Sequence, residues 1–341
     1  MKVYLRADSS AKIGTGHVVR QISLGRELVS RGVDVVFFGS VGGPDWVAEM
    51  LRNESAILWK PIAEGSFAAS ELKDAHGGIL VVDSYLFGEA QSEQLAGLGV
   101  RIVQFWDGPW QALIGPTVVA PILDLSSALS EMPKDKTLQI LGGPEFIMIR
   151  PEIKKVFQRR AARNVNSVFR IVVLIGGGSD PNHIGWVVRA IRKVDFPCEV
   201  DIFTALPDEQ ISTSSDFGPQ IHFHAPGPQI LPYLEEASLA ISALGTAAME
   251  LIYLGIPSIF IPVATNQAEN SRGISVHKLG KVIRPDDSDR EKQLVGEILR
   301  QRELFRTGRA GFCERQRENL LVDGKGSTRI AEAVLSLGLS Q

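Results

Sequence analysis

Residues 13–20 read Ile13-Gly14-Thr15-Gly16-His17-Val18-Val19-Arg20 and lie between an apolar strand-like run, Val3–Arg6, and a helix-like segment, Val18–Ser30. A short buried strand, a glycine-bracketed turn and an amphipathic helix make the opening of a β–α–β unit. Val19, Ile22, Leu24, Leu28 and Val29 give the helix a broad apolar stripe, and Gly32 is placed to end it. A turn of this kind exposes backbone N–H groups to an anion. His17 adds a titratable imidazole, placed there for chemistry; the plainer alternative is a helix cap or a packed ring under the loop.

The same alternation continues along the chain. Strand-like runs are Val35–Phe38, Ile79–Val82 and Val100–Phe105, then Val168–Ile175, Glu199–Phe203, Ile221–His224, Leu239–Ser242 and Ser258–Ile261. Helix-like segments lie at Ala90–Leu98, His183–Lys193, Ile230–Ala237, Ala247–Leu254, Gln267–Leu279, Glu291–Arg302 and Thr328–Leu337. This predicts an α/β protein with parallel sheets covered by helices. The pattern breaks at Arg150-Pro151-Glu152, passes through a charged, poorly periodic segment and restarts near Val168. The expected organisation is a Rossmann-like domain over 1–150, a linker over 151–167 and a second Rossmann-like domain over 168–341. The two sheets are expected to face a cleft holding the ligand at the C-terminal ends of the strands.

Composition narrows the function. The chain has 341 residues, with 44% hydrophobic and 22% charged, a globular balance. Its 36 Lys and Arg against 39 Asp and Glu give a net charge of −3, which disfavours nucleic acid as a partner. No apolar run reaches the ~20 residues of a membrane span. Cys198 and Cys313 have neither CxxC spacing nor a nearby histidine, and no leader pattern is evident, so the expectation is a cytoplasmic protein with no metal and no cofactor. The sequence carries no signal for oligomeric state.

Polar and glycine-rich sequence collects at five strand ends. Arg6 and Asp8 follow the first strand, with Asp8 a partner for His17 or a substrate hydroxyl, or a turn cap. Asp83, in Val82-Asp83-Ser84-Tyr85, orients a base, bonds a sugar or caps a helix; Asp107 reads as a turn residue. Gly176-Gly177-Gly178-Ser179-Asp180 brings backbone close to a phosphate; it lacks the spacing of a dinucleotide fingerprint and the Lys of a Walker loop. Ser242-Ala243-Leu244-Gly245-Thr246-Ala247 leads into a helix bearing Glu250, which accepts the hydroxyls of a ribose or simply faces solvent near the helix start. Ala264-Thr265-Asn266-Gln267 completes a sugar or phosphate site or caps the next helix. His222 and His224 share a strand face, too few for a zinc site.

Together these segments resemble the PseG/SpsG nucleotide-sugar hydrolases, which act on UDP-2,4-diacetamido-2,4,6-trideoxy-β-L-altropyranose in pseudaminic acid biosynthesis. The resemblance rests on Arg6-Ala7-Asp8 with Gly14-Thr15-Gly16-His17-Val18 and Arg20, Gly143-Pro144 through Arg150-Pro151-Glu152, and Gly177-Gly178-Ser179-Asp180-Pro181. Ser242-Ala243 with Gly245 and Glu250, Leu254-Gly255-Ile256-Pro257 and Asn266-Gln267 extend it over roughly residues 1–280. It implies a GT-B, MurG-like fold and metal-independent hydrolysis of the anomeric C–O bond of a UDP-sugar, with inversion. It also implies catalytic roles for His17, Asp83, Tyr85 and Asn266. Substrate contacts would come from Arg6, Asp8, Gly14, Thr15, Gly16, Arg20, Gly177, Gly178, Ser179, Ser242, Gly245, Thr246, Ala247, Glu250 and Gln267. The chain departs from the family at Leu244, Ala247 and Met249, where glycine, threonine and tryptophan are usual, and at Trp106-Asp107, where two acids are frequent.

Two other readings use the same residues. A GT-B glycosyltransferase passes the sugar to an acceptor hydroxyl in place of water, and a nucleotide-sugar-binding protein stops at recognition. A nicotinamide oxidoreductase is disfavoured: the first loop is not GxGxxG, and Phe37-Phe38-Gly39-Ser40 carries no acid for a ribose.

Overall fold

Ile79-Leu80-Val81-Val82 and Ile171-Val172-Val173-Leu174 are unbroken apolar runs, as strands covered on both faces require, and all eight side chains are buried. In the computed structural model they lie at the centres of two wholly parallel sheets. The structure describes residues 1–66, 72, 77–87, 93, 95, 97–106, 113–130, 138–161, 168–175, 181–204, 218–308 and 321–339, without the side chains of 161, 181, 182, 266 and 339. The chain divides into two units, Met1–Ile149 with Val322–Gln341, and Arg150–Leu321.

The first unit runs β1 (Lys2–Ala7), α1 (Gly16–Ser30), β2 (Asp34–Phe38), α2 (Asp45–Arg52), β3 (Ile57–Lys60), β4 (Ile79–Asp83), β5 (Arg101–Phe105), β6 (Thr117–Ala120), α3 (Leu125–Ser130) and β7 (Gln139–Gly142). The sheet order is β3-β2-β1-β4-β5-β6-β7. Because β1 is flanked by β2 on one side and β4 on the other, the loops leaving β1 and β4 part company there, which is where doubly wound sheets open a binding crevice. The register sets Ala7 opposite Asp83. Val18, Ile22 and Leu28 of α1 pack on Leu5, Val35 and Val81. Gly39 is required where the chain leaves β2: a Cβ there would fall 1.8 Å from the Ala7 carbonyl oxygen.

The second unit runs α4 (Pro151–Ala161), β8 (Arg170–Leu174), α5 (Pro181–Ile191), β9 (Cys198–Phe203), β10 (Pro219–His224), α6 (Leu231–Glu236), β11 (Leu239–Ala243), α7 (Thr246–Leu254), β12 (Ser258–Ile261), α8 (Ala268–Val276), β13 (Lys281–Val282) and α9 (Arg290–Arg306). Its order, β10-β9-β8-β11-β12-β13, puts the corresponding switch between β8 and β11. Trp186, Val187, Ile241, Ile259, Leu294 and Ile298 are central to its core.

Two expectations about domain limits change. Much of the expected linker is α4, opened by Pro151 at a helix start and anchored by the fully buried Ile153 and Val156. The last helix, α10 (Gly326–Leu339), does not stay with residues 168–321. Its Ile330, Ala331 and Val334 enter the first unit's core, and Arg329 Nη1 donates to the Glu145 carbonyl at 2.7 Å. The amphipathic stripe of α10 demanded a partner, but local sequence does not say which sheet supplies it. Truncating Ile330→Ala should therefore cost the first unit about 2–5 kcal/mol, read as a lowered midpoint in urea unfolding. An unchanged midpoint would contradict this packing.

Candidate active site

His17, Arg20 and Gln21 stand at i, i+3 and i+4 on α1 and so share one helix face. That face meets Asp83 at the end of β4. His17 Nδ1 lies 2.5 Å from Asp83 Oδ1; Arg20 donates from Nη2 to Oδ1 and from Nε to Oδ2, both at 2.5 Å; Gln21 Nε2 donates to Oδ2 at 3.2 Å. Asp83 is only 1% exposed. Burial alone would push its pKa up, but the Arg20 guanidinium and His17 outweigh it and hold the carboxyl well below the usual 3.8. The group is an anion in the folded protein. An ionised acceptor at Nδ1 favours a ring orientation in which Nδ1–H donates to Asp83 and Nε2 faces away from it.

Around this pair the first unit builds a small pocket. Asp8, Ile13, His17, Asp83, Ser84, Tyr85 and Leu86 line about 30 Å³ of space, room for one or two water molecules. Tyr85 meets the His17 ring edge-on at 4.7 Å between centroids. Gly14 adopts φ +82, a left-handed conformation, and its N–H donates to the Ser10 carbonyl at 2.8 Å. This tight loop delivers Thr15 and Gly16 to the start of α1, where no side chain caps the helix.

Other residues expected to touch substrate also have partners within the fold. Asp8 does not partner His17: it pairs with Arg6 Nη2 at 2.7 Å and accepts the Ser40 and Gly65 amides at 2.9 and 3.1 Å. Arg6 is 1% exposed, donates to the Ser66 carbonyl and lies over the Phe87 ring. Arg20 points at Asp83, with its guanidinium 5.2 Å from the Phe105 ring centre. A buried Arg beside a buried Asp satisfies both charges locally, which a spacing argument along the chain does not reveal.

In the second unit, the β11–α7 turn carries an exposed Gly245 with open space above it and a half-buried Thr246 and Ala247. Leu244, where glycine is usual in the resembled family, turns its side chain into the core at 1% exposure. Gln267 Oε1 accepts the Val263 amide at 2.8 Å and the Leu244 amide at 3.4 Å, tying this turn to the one after β12. Ser242 is fully buried and bonds the Leu174 and Ala243 carbonyls, so it serves the sheet. Glu250 is neither solvent-facing nor unpartnered: Arg150 Nε donates to Oε1 at 2.6 Å and Nη2 to Oε2 at 2.7 Å. Gly177, Gly178, Ser179 and Asp107, and the side chain of Asn266, lie outside the described residues. Sequence reasoning missed Gln21 and Arg150; the spacing of Gln21 from His17 was visible, whereas Arg150 is 100 residues from its partner.

A model of the glycosyltransferase family 28 C-terminal domain matches residues 205–304. The uncharacterized protein MJ1062 of Methanocaldococcus jannaschii is 20% identical over 274 residues, covering 76% of this chain; the chain spans 55% of that protein's length. Among solved structures, MurG of Acinetobacter baumannii aligns at TM-score 0.61 and 12% identity over 98% of this chain and 99% of that one. The spinosyn forosaminyltransferase SpnP aligns at 0.66 and 13% over the whole of both chains. Phytolacca americana UGT2, complexed with UDP-2fluoro-glucose and pterostilbene, aligns at 0.66 and 13% over 98% of each. Among the described residues no helix is long and apolar enough to cross a membrane.

Asp83→Asn should destabilise the first unit by about 3–5 kcal/mol, because it leaves the buried Arg20 charge uncompensated. The sign with pH follows from the lowered pKa. The advantage of wild type over the variant is complete above the ordinary carboxylate value and is lost as pH falls below it. Denaturation midpoints measured from pH 7 down to pH 3 test this; a gap that widens on acidification would contradict it. The chain has a GT-B glycosyltransferase-like α/β fold.

Proposed function

We propose that the protein hydrolyses a UDP-linked diacetamido-trideoxyhexose at the anomeric C–O bond, releasing UDP and the free sugar in nonulosonate biosynthesis of the pseudaminic acid type. The observation that carries this reading is His17, oriented by Asp83 through Nδ1 and lining a pocket with room for water. In the proposed step a water oxygen attacks the anomeric carbon with inversion. Its proton passes to His17 Nε2, and the bond to the diphosphate breaks with its electron pair leaving on the phosphate oxygen. Asp83 orients the imidazole and offsets the charge it gains, as the acid of a catalytic triad does. Tyr85 and Asn266 are assigned beside the sugar, following the resemblance.

The second unit is assigned the nucleotide. Gly177–Ser179 and the Gly245–Ala247 turn receive the diphosphate, whose developing charge is favoured at helix starts. Glu250 receives the ribose. Leu244, Ala247 and Met249 remove a glycine, a hydroxyl and an indole from the usual version of this turn, so backbone amides carry more of the phosphate contact here.

A transferase reading has its own support: the family 28 match and the glycosyltransferase neighbours. It differs in the group that receives the sugar. UDP release measured over a panel of UDP-sugars without any acceptor separates the two. Hydrolysis predicts UDP and reducing sugar in equal amounts; release that requires an added acceptor would establish transfer. His17→Asn should lower kcat by ~10²–10⁴-fold, the usual worth of a positioned base, while UDP affinity stays within about twofold. Near-wild-type release by that variant would remove His17 from the mechanism.

A further inference from the structure

The residues lining the pocket at His17 divide by chemistry. Asp8, His17, Asp83 and Ser84 are buried, whereas Ile13, Tyr85 and Leu86 reach solvent. The two acids have little left to offer a ligand, because a carboxylate has about four acceptor sites. Those of Asp8 are taken by Arg6 Nη1 and Nη2 and by the Ser40 and Gly65 amides. Those of Asp83 are taken by two bonds from Arg20, one from Gln21 and the His17 contact. What the pocket presents to solvent is therefore mostly apolar, beside acids whose charges are already paired.

Leu86 is the most exposed of the three, at 47%. Of the large apolar side chains left exposed among the described residues, it alone lines this pocket. It is also held in place. Its amide donates to Ser84 Oγ at 3.1 Å. Gly65 stands so close to its side chain that a Cβ there would come within 3.3 Å of Leu86 Cδ1. Gly65 is in turn fixed by the buried Arg6–Asp8 pair: its amide donates to Asp8, and the neighbouring Ser66 carbonyl accepts from Arg6. A lone exposed leucine is ordinary on a protein surface, but one braced from behind and lining a pocket with a candidate base offers a ligand a fixed apolar contact. A hydroxyl placed there loses water and gains no partner, whereas a methyl group leaves water favourably.

We propose that Leu86 is a specificity-determining residue that packs against a methyl group of the reacting sugar, so that the protein prefers a sugar bearing that methyl over one with a hydroxymethyl in its place. The inference rests on the reading that a UDP-sugar is hydrolysed at His17. Two kinds of methyl fit: C6 of a 6-deoxy sugar and the methyl of an acetamido group. The test compares kcat/KM for UDP release from the UDP-linked diacetamido-trideoxyhexose with that from two analogues, one hydroxylated at C6 and one carrying hydroxyacetyl in place of acetyl groups. Wild type should disfavour at least one analogue by about tenfold or more, the range in which an apolar pocket rejects an added hydroxyl. Leu86→Ser should bring that ratio to within about threefold, and the ratio that falls identifies the methyl. Leu86→Met, of similar volume, should retain the wild-type preference. General damage to the fold would slow all three sugars and leave the ratios unchanged. No discrimination in wild type, or full discrimination in Leu86→Ser, overturns the inference. A wild type that releases UDP from none of the three overturns the hydrolase reading, and the inference with it.

Discussion

The first unit turns on one buried carboxylate. Moving Asp83 out of water costs several kcal/mol before any partner is counted, and the sequence offsets that with three side chains from a single face of α1. Arg20 supplies the countercharge, Gln21 a neutral donor, and His17 the third bond. The consequence is geometric. With Asp83 fixed by the register of β4 against β1, α1 is held in rotation about its axis, and Gly14 must close the loop that feeds it. His17 is thereby held with Nδ1 committed to Asp83.

The second unit applies a similar device with different residues. Its switch point, between β8 and β11, leads to a turn whose backbone is tied from below by Gln267 and whose first side chain, Leu244, is drawn into the core. Glu250 is held by Arg150 as Asp83 is held by Arg20: a buried acid gripped by a forked cation. In both units the side chains expected to meet substrate are oriented by partners packed behind them, an arrangement that precise chemistry requires.

Strand–helix alternation made the α/β parallel architecture legible, because buried parallel strands write themselves as continuous apolar runs such as Ile79–Val82. The strands that escaped notice were short or at edges: Ile57–Lys60, Thr117–Ala120, Gln139–Gly142 and Lys281–Val282. Apart from Thr117–Ala120, whose four residues are all buried, these runs have at most one buried position and do not stand out from loop sequence. Helix α4 was hidden by charge, since its apolar face is little more than Ile153, Val156 and Phe157. The destination of α10 was not readable at all, as an amphipathic face specifies burial and not the partner. The site was half legible. A glycine-flanked histidine before a helix and an acid ending a strand announced themselves; the commitment of Arg6, Asp8 and Arg20 to internal ion pairs did not. Arg20 meets Asp83 only through the packing of α1 against β4, a tertiary fact.

In the proposed reaction a water activated at His17 attacks the sugar's anomeric carbon. Turnover of a UDP-linked diacetamido-trideoxyhexose in water enriched in heavy oxygen, followed by mass spectrometry of both products, tests it most directly. The account predicts one labelled oxygen in the released sugar, on the anomeric carbon, and none in UDP. Label in the terminal phosphate of UDP would mean that the P–O bond breaks, and would contradict it.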